Sequence, residues 1–427
     1  MGGHGLRGGR IGRCLDLAAA APLMLGDFAS AQPQSAPPVL PIPPAAQPVP
    51  PPPPPPVEIP ALSATDVQLA LKVLRAADLQ GLQPKDYVAE DLPETGALSA
   101  AQQTALTDGL VRYAHDVRVG RMDAEQFPEL WQVRPAAYDP APELAKALAE
   151  NRLQAWLDSL PPRYSGYHGL RRGLARYREI AAAGGWNPVP TGEKLELGST
   201  GPRVAALRAR LAVEDPTVAA VGTTFDKPLQ EAVQRAQRRH GLRPDGVVGP
   251  GTLGHLNQPV GQRILQIIAN MERWRWLPSA MPATRVQVNT GAAIVTLFRD
   301  DKPVMSMKAV SGKKGDETPM LVSNIHSVVI NPPWNVPSRI ANEELWPKER
   351  ADPGYLARNN YRVIPVEGGQ PRLQQASGDS SALGRFKFDF DNPFAVYLHD
   401  TPSKGGFDLY ARQASHGCVR GEKPRAL

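Results

Sequence analysis

Residues 385–390 read RFKFDF and residues 395–400 read AVYLHD. Phe386, Phe388 and Phe390 alternate with Arg385, Lys387 and Asp389, the two-residue period of a strand with one face on a core. The run Ala395–Leu398 leads straight into His399 and so puts an imidazole at the end of a strand. The same period recurs upstream. Val286 and Val288 alternate with Arg285, Gln287 and Asn289, and Met305, Met307 and Ala309 alternate with Ser306 and Lys308. Val328–Ile330 reads as a short buried run. From about residue 280 onward the chain is therefore expected to be β-rich. Residues 338–382 interrupt this pattern with polar, Gly- and Asn-rich sequence, a candidate lid or cap.

Before residue 280 the period is helical. Leu69, Val73 and Ala76–Ala77 share a face and Gly81 ends it; Leu106, Leu110, Tyr113 and Val117 repeat the pattern before Gly120. Leu144, Leu148 and Leu153 mark a further helix, and Leu170, Leu174 and Tyr177 another, stopped by Gly184-Gly185. Residues 193–258 form a separate small unit. Pro202 opens a helix carrying Val204, Leu207 and Leu211. Asp226 caps a second with Leu229, Ala232, Val233 and Ala236, and Pro250 starts a third with Leu253 and Leu256. One more helical stretch runs from Arg263 to about Trp276. The expected fold class is multidomain α+β: a helical domain, a small three-helix module and a mainly-β domain.

The N-terminus has the composition of an export signal. Arg7, Arg10 and Arg13 precede a mostly apolar stretch from Leu15 to Leu25, and Ala29-Ser30-Ala31 is a small-residue cleavage site. Residues 33–60 contain 15 prolines, including the run Pro50–Pro56, which suits a stiff polyproline spacer and not a core. Residues 1–31 are thus read as a signal peptide and 32–60 as a linker, giving an exported, periplasmic protein. With Cys14 in the signal, Cys418 is the one thiol of the mature chain, which excludes a disulfide scaffold and a multi-Cys zinc site. The net charge of +6 is mild for 427 residues and the basic residues are spread, so nucleic acid is not an expected partner.

Sixteen residues after His399 stands Ser415-His416-Gly417-Cys418-Val419-Arg420. A thiol is already a good nucleophile, and a nearby imidazole can take its proton. Gly417 lets the backbone turn closely, so that its amide and that of Cys418 could face a developing oxyanion. Together these make acyl transfer through a thioester, and predict a Cys418 that alkylates faster at neutral pH than an unfolded-chain thiol. The residues alone leave other readings: a buried inert thiol, a surface His399–Asp400 pair, or a metal site, for which two His and one Cys are a poor ligand set.

The string H-x(15)-S-H-G-C-V-R resembles the signature of the L,D-transpeptidase catalytic domain of the YkuD type. Asn331-Pro332-Pro333-Trp334-Asn335-Val336-Pro337 and Gly312-Lys313 with Thr318-Pro319 resemble two further segments of that family. Leu195–Gly201 (L-x-x-G-x-x-G) and Arg238–Gly249 (R-R-H-G-L-x-x-D-G-x-x-G) resemble a peptidoglycan-binding module. Gln80-Gly81-Leu82, Val119-Gly120-Arg121 and Asn270–Trp276 are similar to the larger, YcbB-like members with a scaffold domain. The resemblance implies a scaffold domain over 61–190, a peptidoglycan-binding-like domain over 193–258 and a catalytic domain over 262–427, with 338–382 as its lid.

It further implies that Cys418 is the nucleophile and His399 its base. His416, Gly417 and Ser415 would line the oxyanion region, Arg420 the mouth, and Trp334 and Asn335 the cleft floor. Stem peptides and glycan of peptidoglycan would be the partners, other cell-wall enzymes being possible associates, with no metal or cofactor. The implied reaction joins two stems by a 3→3 cross-link. Resolution of the thioester by water, a carboxypeptidase, is one alternative. Another is a binding protein with impaired catalysis, because the catalytic domain is C-terminally short: the chain stops nine residues beyond Cys418, where family members continue into a helix.

Overall fold

The computed structural model describes residues 57–427 apart from 91 and 94–97. The signal peptide and nearly all of the proline-rich linker lie outside the described residues.

The first helices form where caps and apolar stripes coincide. Helix α1 (Ala64–Arg75) starts at Ser63, whose hydroxyl accepts from the Asp66 N–H while the Asp66 carboxylate accepts from the Ser63 N–H. Ser99 and Gln102 make the same box for α2 (Ala100–Val119). Both helices bury Leu71, Leu74, Leu106, Leu110 and Val117 in one core. The single helix expected across Leu144, Leu148 and Leu153 is two, α3 (Pro140–Ala149) and α4 (Leu153–Ser159). Asn151 takes a left-handed φ of 54° and the Arg152 N–H turns back to the Ala147 carbonyl at 2.7 Å. The five-residue step from 148 to 153 is where the helical period fails.

Helix α5 (Ser165–Ala182) packs against α9 (Val260–Arg275) through Tyr167, Leu174 and Met271. Between them in sequence lies the three-helix module: α6 (Pro202–Glu214), α7 (Lys227–Arg239) and α8 (Pro250–Leu256), around Leu207, Leu211, Phe225 and Val233. Asp226 caps α7 by accepting from the Leu229 N–H at 3.0 Å. Arg210 is buried there, bonded to Glu214 at 2.9 Å and stacked 3.7 Å over the Trp186 ring.

The C-terminal part is a mixed sheet of eight strands: β1 (Arg285–Asn289), β2 (Ile294–Arg299), β3 (Lys302–Gly312), β4 (Ile325–Ile330), β8 (Phe386–Phe390), β9 (Leu398–His399), β10 (Gln413–Ser415) and β11 (Val419–Gly421). The spatial order is β1-β2-β3-β11-β9-β8-β4, with β10 beside β3; β11 runs parallel to β9, and β10 to β3. One face packs Val295, Met307, Ala309, Phe388, Leu398 and Val419 together. The run Val328–Ile330 is not buried: β4 is an edge strand paired only with β8, and Val328 and Ile330 are 52% and 67% exposed. An apolar run marks a strand but does not say which side is covered.

Residues 338–382 are more structured than their polar composition suggests. Helices α10 (Ser338–Ile340), α11 (Trp346–Ala351) and α12 (Tyr355–Arg358), with a π-helical turn over Ala341–Leu345, pack on a three-stranded sheet. Its order is β5 (Trp334–Asn335), β7 (Arg372–Gln375), β6 (Tyr361–Ile364). Val336, Ala341, Leu345, Leu356 and Leu373 give this cap a core of its own.

Candidate active site

Register puts the chemistry on one face. Parallel pairing of β11 with β9 sets Val419 opposite Leu398 and Arg420 opposite His399, and the Val419 N–H donates to the Tyr397 carbonyl at 3.0 Å. Because side chains alternate, Leu398 and Val419 enter the core, while Tyr397, His399, Cys418 and Arg420 share the other face. On β8, Lys387 stands opposite His399 and its ammonium lies 4.5 Å from the Tyr397 ring centre.

His399 is 4% exposed, so the reading of a surface His399–Asp400 pair is overturned. The Asp400 carboxylate turns away, accepting from the Arg385 N–H (2.9 Å) and from Lys404 Nζ (2.5 Å). The Nδ1 atom of His399 is buried and has no hydrogen-bond partner among the described residues. Burial, and next the charge of Arg420, push the His399 imidazole down to about 3, so the ring is neutral across the physiological range. The partly buried Cys418 thiol moves the opposite way. Burial raises it, and the backbone and hydroxyl of Tyr397, then Arg420 and Lys387, draw it back only in part. The resting pair is thus neutral thiol and neutral imidazole. The direction of the thiol's shift is the opposite of the one an imidazolium partner would produce.

The turn that carries Cys418 is held by hydroxyls. Ser415 is 1% exposed; its Oγ donates to the Cys418 carbonyl (2.6 Å) and accepts the Gly417 N–H (3.3 Å). The Gly417 amide is therefore occupied inside the turn. Of the two donors expected from the sequence, only the Cys418 N–H has no partner among the described residues. Gly417 has φ +107°, which side-chain-bearing residues rarely adopt. The segment 312–318 lies against this turn. Thr318 Oγ1 donates to the Gly417 carbonyl (2.8 Å) and accepts from the Gly312 N–H (2.9 Å), and the Lys313 N–H donates to the Ser415 carbonyl (2.9 Å).

The cap reaches the site from the other side. His416 Nε2 lies 2.8 Å from Glu344 Oε1, in the π-helical turn, and 3.3 Å from Lys313 Nζ. Asp316 joins Lys313 (3.3 Å) to Arg339 of α10 (2.5 Å). Of the two cleft-floor candidates, Trp334 lies by the Tyr397 hydroxyl, which burial and the neighbouring thiol hold protonated. Asn335, next along β5, is exposed and accepts from Gln374 Nε2 at 2.8 Å within the cap sheet. Tyr397, Glu344 and Lys313 are site residues that the sequence reading missed. Tyr397 was discernible, two positions before His399 in an alternating strand; Glu344 comes from a remote segment and carries no local signal.

Comparison with known proteins assigns three stretches of the chain to families. Residues 283–427 match the YkuD family model, "L,D-transpeptidase catalytic domain", residues 62–174 the "Scaffold domain", and residues 200–256 the "Putative peptidoglycan binding domain". By these matches the chain carries a catalytic domain of the L,D-transpeptidase YkuD type, preceded by a scaffold domain and a peptidoglycan-binding domain. A Haemophilus influenzae protein named "Putative L,D-transpeptidase" is 36% identical over 178 residues, which cover 38% of this chain and 36% of that one. The match thus spans about a third of that curated relative. Among solved structures, the catalytic domain of an E. faecium L,D-transpeptidase acylated by ertapenem is 17% identical, covering 33% of this chain and 83% of that one, with a TM-score of 0.21. An L,D-transpeptidase from Xylanimonas cellulosilytica is 22% identical, covering 55% and 90%, with a TM-score of 0.16. Among the described residues no helix is long and apolar enough to cross a membrane.

Proposed function

We propose that this protein is an exported, periplasmic peptidoglycan L,D-transpeptidase that forms 3→3 cross-links through a thioester on Cys418. The observation that carries the reading is the shared sheet face of Tyr397, His399, Cys418 and Arg420, fixed by the β9–β11 register. Cys418 attacks the carbonyl of the third stem residue. As the S–C bond forms, the thiol proton passes to neutral His399, the Cys418 N–H meets the developing oxyanion, and D-Ala leaves with the proton. The side-chain amine of a second stem then attacks the thioester and releases the thiol. At rest the imidazole is neutral with its lone pair free, and the negative charge forming on the sulfur during attack raises the ring's affinity for the proton. Arg420 and Lys387 supply positive charge near the thiol for the carboxylates of the stems. Residues 338–382 act as the lid over this site, and the three-helix module holds the enzyme to the polymer.

The test is product analysis by mass spectrometry after incubation with disaccharide-tetrapeptide. A dimer lacking one D-Ala, absent with Cys418→Ala, is the expected result. Tripeptide alone would mean that water resolves the thioester and the enzyme is a carboxypeptidase. Unchanged substrate from a folded chain would leave only the binding role.

A further inference from the structure

Building on the transpeptidase reading, we propose that Glu344 of the cap recognises the cationic amine of the acceptor stem and so sets transfer against hydrolysis. The charges at the mouth lead to this residue. Cations dominate: Lys313, Arg339, Lys387 and Arg420. The other nearby carboxylates are committed elsewhere, Asp316 to Lys313 and Arg339, Asp389 to Lys387 at 2.6 Å, Glu343 to Arg339 at 3.4 Å, and Glu317 to the Gly315 N–H at 3.0 Å. Glu344 differs. Among the described residues its one close partner is the His416 imidazole at 2.8 Å, and its side chain remains 38% exposed. It also lies near enough to Arg420 to act on its charge, as Cys418 does, which places it on the thiol side of the cap. The π-helical turn Ala341–Leu345 displaces this position from the ordinary helical face.

His416 Nε2 shows what the spot accommodates. It sits between a carboxylate at 2.8 Å and the Lys313 ammonium at 3.3 Å, so an ammonium already stands beside this pair. An acceptor amine arrives at neutral pH as an ammonium, donates to Glu344 and gives one proton through His416 to solvent. The freed amine attacks the acyl carbon; the N–C bond forms and the C–S bond breaks. Its second proton passes by way of His399 to the Cys418 thiolate and restores the thiol. Water carries no charge and gains nothing from Glu344.

The experiment compares the full chain with Glu344→Gln on disaccharide-tetrapeptide, following acyl-enzyme, dimer and tripeptide by mass, with hydroxylamine as a second acceptor that is largely uncharged at neutral pH. Acylation and hydroxamate formation should change far less than transfer to the stem amine. The dimer-to-tripeptide ratio should fall about tenfold or more, the worth of one charge-assisted hydrogen bond, and Glu344→Asp should recover part of it. An unchanged ratio would overturn the assignment. So would parallel losses of acylation, dimer and hydroxamate, which would make Glu344 only a latch for the cap. A wild-type chain that forms no acyl-enzyme would instead sink the transpeptidase reading, and this one with it.

Discussion

The neutral resting pair makes a prediction that separates two kinds of thiol enzyme. An ordinary unfolded-chain thiol has a pKa of about 8.5 and is roughly 3% thiolate at pH 7. Burial raises Cys418 above its ordinary value, so its thiolate fraction at pH 7 is smaller still. Each pH unit then multiplies the thiolate, and with it the rate of iodoacetamide alkylation, about tenfold. The native rate should climb with that slope from pH 6 to pH 9 without a plateau. Restricted access lowers the rate equally at every pH, so the slope carries the argument. His399→Gln should leave this profile nearly unchanged, because a neutral imidazole does not stabilise a thiolate. The same substitution should cut acylation by disaccharide-tetrapeptide by roughly 10²–10⁴, the usual worth of a positioned base. The acid limb of acylation in the wild type should fall near 3, where His399 gains its proton, and not near 6.5. A plateau in alkylation by pH 6, or a tenfold slowing in His399→Gln, would show an ion pair formed at rest and refute the reasoning.

Three further outcomes are expected. Gly417→Ala should cost activity more than stability: the added Cβ meets Val396 Cγ1 at 3.4 Å and the Glu317 carbonyl oxygen at 3.7 Å, both tolerable, but φ +107° strains any side chain by about 1–3 kcal/mol, as paired melting and acylation measurements would reveal. Thr318→Val removes the hydroxyl that joins the Gly312 N–H to the Gly417 carbonyl, and should destabilise by about 1–3 kcal/mol in denaturant titration while slowing acylation. Glu214→Gln should destabilise the three-helix module by about 3–5 kcal/mol by leaving buried Arg210 uncompensated. Burial would raise the Glu214 carboxyl, but the His240 ring, Arg210 and Tyr177 outweigh it and hold it well below the usual range. Its stabilisation is therefore complete above about pH 4.5 and lost as pH falls toward the folded value. Urea titrations from pH 7 to pH 3 should show an acid-dependent loss that is weaker in Glu214→Gln.

Much of the fold was legible because its signals are local. The alternation around Phe386–Phe390 and Val286–Val288 reports a pleated surface, and the cap Asp226 and the first-turn proline Pro202 report helix starts. What escaped depends on partners far along the chain. Val328 and Ile330 look like core until the sheet order makes β4 an edge. The cap core is assembled from single apolar residues, Val336, Ala341, Leu345, Leu356 and Leu373, scattered through polar sequence with no sustained period. At the site, the string pointed to Cys418 and His399 as partners, and the β9–β11 register puts them on one face, but the direction of their proton affinities was not in it. Those follow from burial and from Arg420 opposite His399, both products of register. Gly417 was singled out for its amide, yet the Ser415 hydroxyl takes that amide, a competition visible only once the turn is closed.

The scaffold domain has a physical link to this chemistry. The Gln132 and Val133 N–H groups both donate to the Met320 carbonyl, at 2.7 and 3.2 Å, and the Met320 N–H donates to the Leu130 carbonyl at 2.7 Å. Met320 lies two residues beyond Thr318, whose hydroxyl grips the Gly417 carbonyl. A short bridge from the helical domain therefore braces the loop that braces the cysteine turn. The bridge is itself anchored, since Trp131 and Phe127 stack edge-on against Trp276 at the end of α9, at 5.1 and 4.9 Å. Glu272 and the buried Arg275 of α9 tie that helix back to the first domain through the Arg121 N–H, the Tyr167 hydroxyl and the Gln80 carbonyl. Turns held by hydroxyls at 2.6–2.9 Å tolerate little drift before a thiol and its base lose alignment. The scaffold is thus placed to set the position of Cys418 from outside the catalytic sheet, through backbone hydrogen bonds and without a residue of its own among the site's charged groups.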